Sequence, residues 1–252
     1  MTRPPLGNTM TSRLAAALER AFPGMGLRPA GLTALSAACL LAYSTVSRRK
    51  WMPDAVLETM ASVSGIEAPS FHIQAYAHAM AVLCLLVVPL LVCRFAWGMT
   101  VRELGFRIRG TRREWLIVLG MWALFVPVVW VASQGESFQS TYPKVPAVAA
   151  SAGLYVVYEL VYLTKWTAWE FFFRGFMLFG FEKDFGVRAV LISTIPFAVM
   201  HMHKPVPEMV GSIFAGFLLC WIARQNRSIW PGVLLHSGVA ATMDFFASQF
   251  WH

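Results

Sequence analysis

The chain has 252 residues, 57% of them hydrophobic and only 13% charged, with a formal net charge of +8. Charged residues stand at about half the usual share for a soluble domain. This excludes an ordinary soluble globule, a disordered chain and a small disulfide scaffold. It fits a polytopic membrane protein with basic loops, and 19 Phe and 10 Trp suit a lipid-facing surface with interfacial anchors. The arginines sit in short linkers between apolar runs rather than on one soluble face. The expected partner is therefore the lipid bilayer and not nucleic acid.

Residues 1–28 carry Arg3, Arg13, Glu19, Arg20 and Arg28 and read as a cytoplasmic N-terminal segment, not a cleaved leader. Leu14 to Phe22 has the pattern of a short amphipathic interfacial helix. Apolar runs follow at 29–46, 73–93, 115–132, 144–163, 166–181, 187–202, 207–223 and 229–248. Several are shorter than the roughly 20 residues that a straight crossing needs. The longest linker, 47–72, is too short to hide a soluble domain. The expected fold is all-α: a polytopic transmembrane helical bundle of seven or eight spans, forming a single membrane domain over 29–250.

Orientation follows from the segment between the second and third runs. Arg94, Arg102, Arg107, Arg109, Arg112 and Arg113 crowd it, and the positive-inside rule places it in the cytoplasm. Two clusters resist the scheme. Arg48, Arg49 and Lys50 would face outside, as would Arg224 and Arg227 if all eight runs cross. If 144–181 crosses only once, Arg224 and Arg227 return inside. The expected location is a bacterial cytoplasmic (inner) membrane. Cys39, Cys84, Cys93 and Cys220 lie in or beside apolar runs without a close pair, so they read as packing residues.

Charged groups within hydrocarbon mark function or an obligatory ion pair. Glu159, Glu170, Arg174, His201, His203, His236 and Asp244 all fall in the C-terminal half. Glu170 and Arg174 are four apart, so one helix face carries both, either as a structural pair or as an oriented carboxylate. Glu159 reads as an interhelical hydrogen-bonding residue. His201 and His203 are two apart, so only one of them faces Glu170. Asp244 lies two turns beyond His236, too far to bond it along a regular helix, but able to orient a group on a neighbouring helix. No HExxH, GxSxG, P-loop or dinucleotide pattern occurs, and neither a metal nor a cofactor is expected.

The run Trp169–Glu170–Phe171–Phe172–Phe173–Arg174–Gly175 resembles the first motif of the CAAX-protease and bacteriocin-processing family, the intramembrane glutamic endopeptidases also called abortive-infection proteins. Phe197 and His201 match its second motif, Phe-x-x-x-His. Ile229–Trp230–Pro231–Gly232–Val233–Leu234–Leu235–His236 looks like its lead-in to a third-motif histidine. The resemblance covers about residues 145–250. There are two departures. The family's first glutamate, commonly assigned as the base that activates water, is Trp169 here. The asparagine four residues after the third-motif histidine is Ala240.

The resemblance implies an intramembrane peptidase acting on a membrane-associated protein or peptide. Glu170 and His201 would hold and deprotonate a water, and His236 would stabilise the oxyanion or protonate the leaving amine. Arg174 would fix Glu170, while Trp169 and the phenylalanines would shape the cavity or meet lipid. His203, Glu159 and Asp244 would support the cluster. The alternative is a non-catalytic relative: a membrane chaperone, regulator or carrier.

Overall fold

The structure is a computed structural model and describes residues 10–108 and 110–248. Arg3, Arg109 and the last residues of the expected membrane domain lie outside these. Every described element is helical. Helix α1, Met10–Ala21, buries no side chain, whereas α2, Leu27–Val46, packs into the bundle. Helix α3, Asp54–Ser64, sits in the long linker. Helix α4, Pro69–Trp97, contains a π-helical turn at Leu83–Val87 and stops at Gly98. Gly98 has φ 64°, a left-handed cap that a side chain would strain.

Helix α5, Arg112–Ser133, begins on a capping box in which Thr111 and Glu114 satisfy each other's backbone N–H groups. Helix α6 is continuous where the sequence suggested two runs, 144–163 and 166–181. It comprises Ala152–Glu170, a π-helical stretch Phe171–Phe179, and Gly180–Phe185. Ser151 caps it by accepting from the Leu154 N–H. Nothing between residues 163 and 166 breaks a helix, and the chain crosses that point without a turn. Helices α7, Ala189–Val199, α8, Val206–Asn226, and α9, Trp230–Ala247, complete the chain.

Among the described residues, four helices are long and apolar enough to cross a membrane: Leu27–Val46, Pro69–Trp97, Arg112–Ser133 and Val206–Asn226. The chain is an all-α, multi-pass membrane protein. Helix α7 has 11 residues and so rises about 16 Å, half a bilayer core.

Polar contacts define the two ends of the bundle. At one end Arg28 bonds Asp184 and the Gly180 carbonyl. Arg224 and Arg227 both pair with Glu182. The Ile229 N–H donates to the Gly105 carbonyl at 3.0 Å, and the Ser228 hydroxyl to that of Arg107. The start of α2, the linker after α4, the end of α6 and the turn between α8 and α9 therefore share this end. Arg224 and Arg227 stand on the same side as the arginine-rich linker, because 152–185 is a single helix. At the other end the Tyr142 hydroxyl donates to Glu208 at 2.7 Å, and Lys204 reaches both. Burial, with Glu208 beside it, pushes the Tyr142 hydroxyl above its ordinary range. The Tyr155 hydroxyl ties the start of α6 to the Ala241 carbonyl near the end of α9.

Candidate active site

Glu170 is the last residue of the regular part of α6, and the π-helical stretch begins immediately after it. A π insertion turns the following side chains relative to an α-helix, and such insertions recur at functional sites. The stretch is wholly core: Phe171, Phe172 and Phe173 are fully buried, so they meet neither lipid nor a cavity. Gly175 admits the linker before α5, since a Cβ there would lie 2.7 Å from the Leu104 carbonyl oxygen.

Glu170 and Arg174 are both fully buried and form an ion pair, Arg174 Nη1 to Glu170 Oε1, at 3.2 Å. The Arg174 guanidinium also stacks on Phe197, 4.0 Å from the ring centroid. His236 on α9 completes the cluster, with Nδ1 at 2.7 Å from the same Glu170 oxygen. The carboxylate can approach α9 this closely because residue 232 has no side chain. A Cβ on Gly232 would lie 2.8 Å from Glu170 Oε2.

His201 follows α7, and its Nδ1 lies 2.8 Å from the Phe197 carbonyl oxygen. A carbonyl only accepts, so this Nδ1 carries the proton and Nε2 is left with a lone pair. The same logic applies to His236: beside a carboxylate its Nδ1 is the protonated nitrogen. The two imidazole rings are 6.5 Å apart and 25° from parallel. Trp166 packs against His236 at 4.2 Å, and Trp169 meets His201 edge-on at 6.4 Å.

A cleft of about 490 Å³ reaches both histidines. Its walls are α5, through Phe125, Val128 and Ala132, and α8, through Gly211, Ser212 and Ala215. Its floor is α9, with Leu235, His236 and Val239. Helices α5 and α8 both pack on α9 but scarcely touch one another, and the cleft lies between them. Glu170, Arg174 and Trp169 do not line it. The glutamate therefore stands behind His236, not at the cleft surface where direct water activation would place it.

Three other expected residues fall away from this cluster. His203 is exposed in the turn after α7, with φ 72°. Asp244 is 1% exposed and faces Glu159 on α6, not a histidine. The Asp244 and Glu159 carboxyls meet only one another, and the nearby Tyr158 hydroxyl is buried without a hydrogen-bond partner. Lys165 was legible as a charge inside an apolar run, and sequence reasoning missed it. Its ammonium lies 4.5 Å from the Trp166 ring and 5.5 Å from the Trp169 ring, above the aromatic wall of the site. Among the described residues no group of three or more His, Cys, Asp and Glu side chains is placed to hold a metal.

Fold and site together define a multi-pass helical membrane protein with a buried Glu–Arg–His cluster behind an apolar cleft. Residues 152–242, just over a third of the chain, match the family model of the Rce1-like proteins, described as type II CAAX prenyl endopeptidase Rce1-like. The match falls on the motifs that resemble the CAAX-protease family and supports membership of an intramembrane protease family. No curated protein and no solved structure matches the chain.

Proposed function

We propose that the protein is an intramembrane endopeptidase that hydrolyses a peptide bond in a membrane-associated protein or peptide. The supporting observation is that His201 and His236, from separate helices, both reach one apolar cleft, with Glu170 bonded directly behind His236. His201 Nε2 has the lone pair to take a proton from water as the resulting hydroxide adds to the peptide carbonyl. His201 Nε2 then gives that same proton to the leaving nitrogen, so the proton taken from water ends on the departing amine. His236, held through Nδ1 by the Glu170 carboxylate, stands beside the developing oxyanion and stabilises it when Nε2 is also protonated. Arg174 keeps Glu170 ionised, and Trp169 holds the His201 ring from the side. No metal enters these steps.

The roles implied by the resemblance shift accordingly. Glu170 acts through His236, and the water is left to His201. A second reading, a non-catalytic relative acting as chaperone, regulator or carrier, is favoured by Trp169 and Ala240. They stand where the resemblance expects a glutamate and an asparagine. A processing assay in membranes, with protein level measured beside product, separates the two. Glu170→Gln and His236→Ala should each lose at least a hundredfold in turnover while the protein still inserts. Exhaustive chelation should leave turnover unchanged. Normal processing by E170Q would remove the glutamate from the chemistry.

We also infer seven crossings. Helices α2, α4, α5, α6, α7, α8 and α9 run alternately between the two ends, with the turn after α7 completing that short fifth rod. The arginine-rich end would be cytoplasmic, in a bacterial inner membrane.

A further inference from the structure

We infer that the cleft takes its occupant from the extracytoplasmic half of the bilayer: an apolar, membrane-anchored peptide segment sliding between α5 and α8. This deepens the peptidase reading and rests on it for the nature of the occupant. The direction of access rests on charge and geometry alone.

The two ends of the bundle differ in basic charge. One end gathers Arg28, Arg94, Arg102, Arg107, Arg112 and Arg113 with Lys183, Arg188, Arg224 and Arg227. The other end holds Arg48, Arg49, Lys50, Lys144 and Lys204, balanced by Asp54, Glu58, Glu67, Glu136 and Glu208. Both ends carry ion pairs, but only the arginine-rich end keeps a large basic excess. Arg49 pairs with Asp54, and Lys204 pairs with Glu208. Burial, together with the neighbouring Lys204, lowers Lys144 from its ordinary range. The positive-inside rule counts lysine and arginine in short loops and assigns the arginine-rich end to the cytoplasm.

The cleft is open toward the opposite end. Beyond the two histidines its lining continues through Gly135, Ser137 and Phe138 after α5, and through Pro205, Pro207 and Glu208 at the start of α8. Nothing from the arginine-rich linker 98–111 or from the α8–α9 turn lines it. Toward that end α9 begins with Trp230, and Phe106 packs on Trp230 and on Phe171, which fills the space below His236. The side wall of α8 presents Gly211, Ser212 and Ala215, whose small side chains leave the gap to α5 unfilled. An apolar segment bathed in lipid loses little by moving into such a wall, and its backbone reaches the histidines at the closed end. Glu208, held by Tyr142 and Lys204, stands at the mouth as the polar group that meets the occupant's wet end.

Sidedness and occupancy are tested separately. Cys39, Cys84, Cys93 and Cys220 are buried, while Ser137 and Arg102 are exposed. A membrane-impermeant maleimide should label Ser137→Cys in intact cells and Arg102→Cys only after permeabilisation. The reverse pattern overturns the direction of access whether or not the protein cleaves anything. For occupancy, leucine–alanine membrane peptides carry a benzophenone near either end. The extracytoplasmic probe should cross-link to the protein at least tenfold more than the cytoplasmic one. Gly211→Trp should abolish that cross-link without lowering protein level, because a Cβ at Gly211 meets nothing within 4 Å. Equal cross-linking by both probes, or cross-linking that survives G211W, overturns the cleft as the route. Loss of processing in E170Q with cross-linking intact supports both readings. Cross-linking by a protein that never cleaves would leave the route standing and remove the peptidase.

Discussion

Two buried carboxyl clusters lie on the same pair of helices and are built in opposite ways. At the first, Glu170 on α6 receives an arginine from its own helix and a histidine from α9, and the histidine opens to the cleft. At the second, Glu159 on α6 faces Asp244 on α9, and apart from one another these carboxyls have no cation or donor at bonding distance. An ionised carboxylate in a low-dielectric interior needs a cation at bonding distance. Two carboxyls facing one another without one do not both ionise and instead share a proton. One cluster is therefore a held charge and the other a nearly neutral polar seam. Residue type alone does not separate a reactive carboxylate from a structural one in a membrane; the partner does.

The sharpest way to break this contrast is Arg174→Leu. It strands a fully buried glutamate, and removing one partner of such a pair typically costs about 3–5 kcal/mol. Protein level and thermal stability in detergent should fall steeply, and the double variant Arg174→Leu with Glu170→Leu should recover most of the loss. If the single variant is as stable as the parent, Glu170 is not held as a charge. Gly232→Ala comes next. The added Cβ would push on Glu170 Oε2, and overpacking of this kind costs about 1–3 kcal/mol. Because it displaces the carboxylate from His236, turnover should fall further than stability. A variant that loses stability but keeps full turnover per folded molecule would detach the Glu170–His236 bond from the reaction.

The smallest effect belongs to the second cluster. Asp244→Asn keeps the shape and can donate to Glu159, so its stability should stay within about 1 kcal/mol of the parent. Asp244→Lys, by contrast, should damage folding. If D244N proves as costly as Arg174→Leu, the seam carries a full charge and the contrast fails.

How much of this was legible beforehand depended on how local each feature is. The Glu170–Arg174 pair was readable from a four-residue spacing, because a helix turn fixes it. The placement of Arg224 and Arg227 was readable only as one of two options, because it hung on whether 144–181 turns back. The His236–Glu170 bond joins positions 66 residues apart, and no spacing rule reaches that far. Lys165 stood in plain view as a charge in an apolar run, yet its aromatic surroundings come from tertiary packing combined with helical spacing.

The sequence by itself determined the solvent and the secondary structure. A chain so poor in charge and so rich in long apolar runs satisfies its backbone in lipid only as helices. It also singled out Glu170, Arg174, His201 and His236, which the structure brings together, but passed over Lys165. Only the tertiary structure decided which carboxylate meets a histidine and which meets another carboxylate. It also decided that Glu170 stands behind the cleft and His236 in front of it. The physical reason is that partners across helices are set by how the rods pack. Gly232 lets α9 close onto Glu170, whereas α5 and α8 stay apart and leave the histidines reachable.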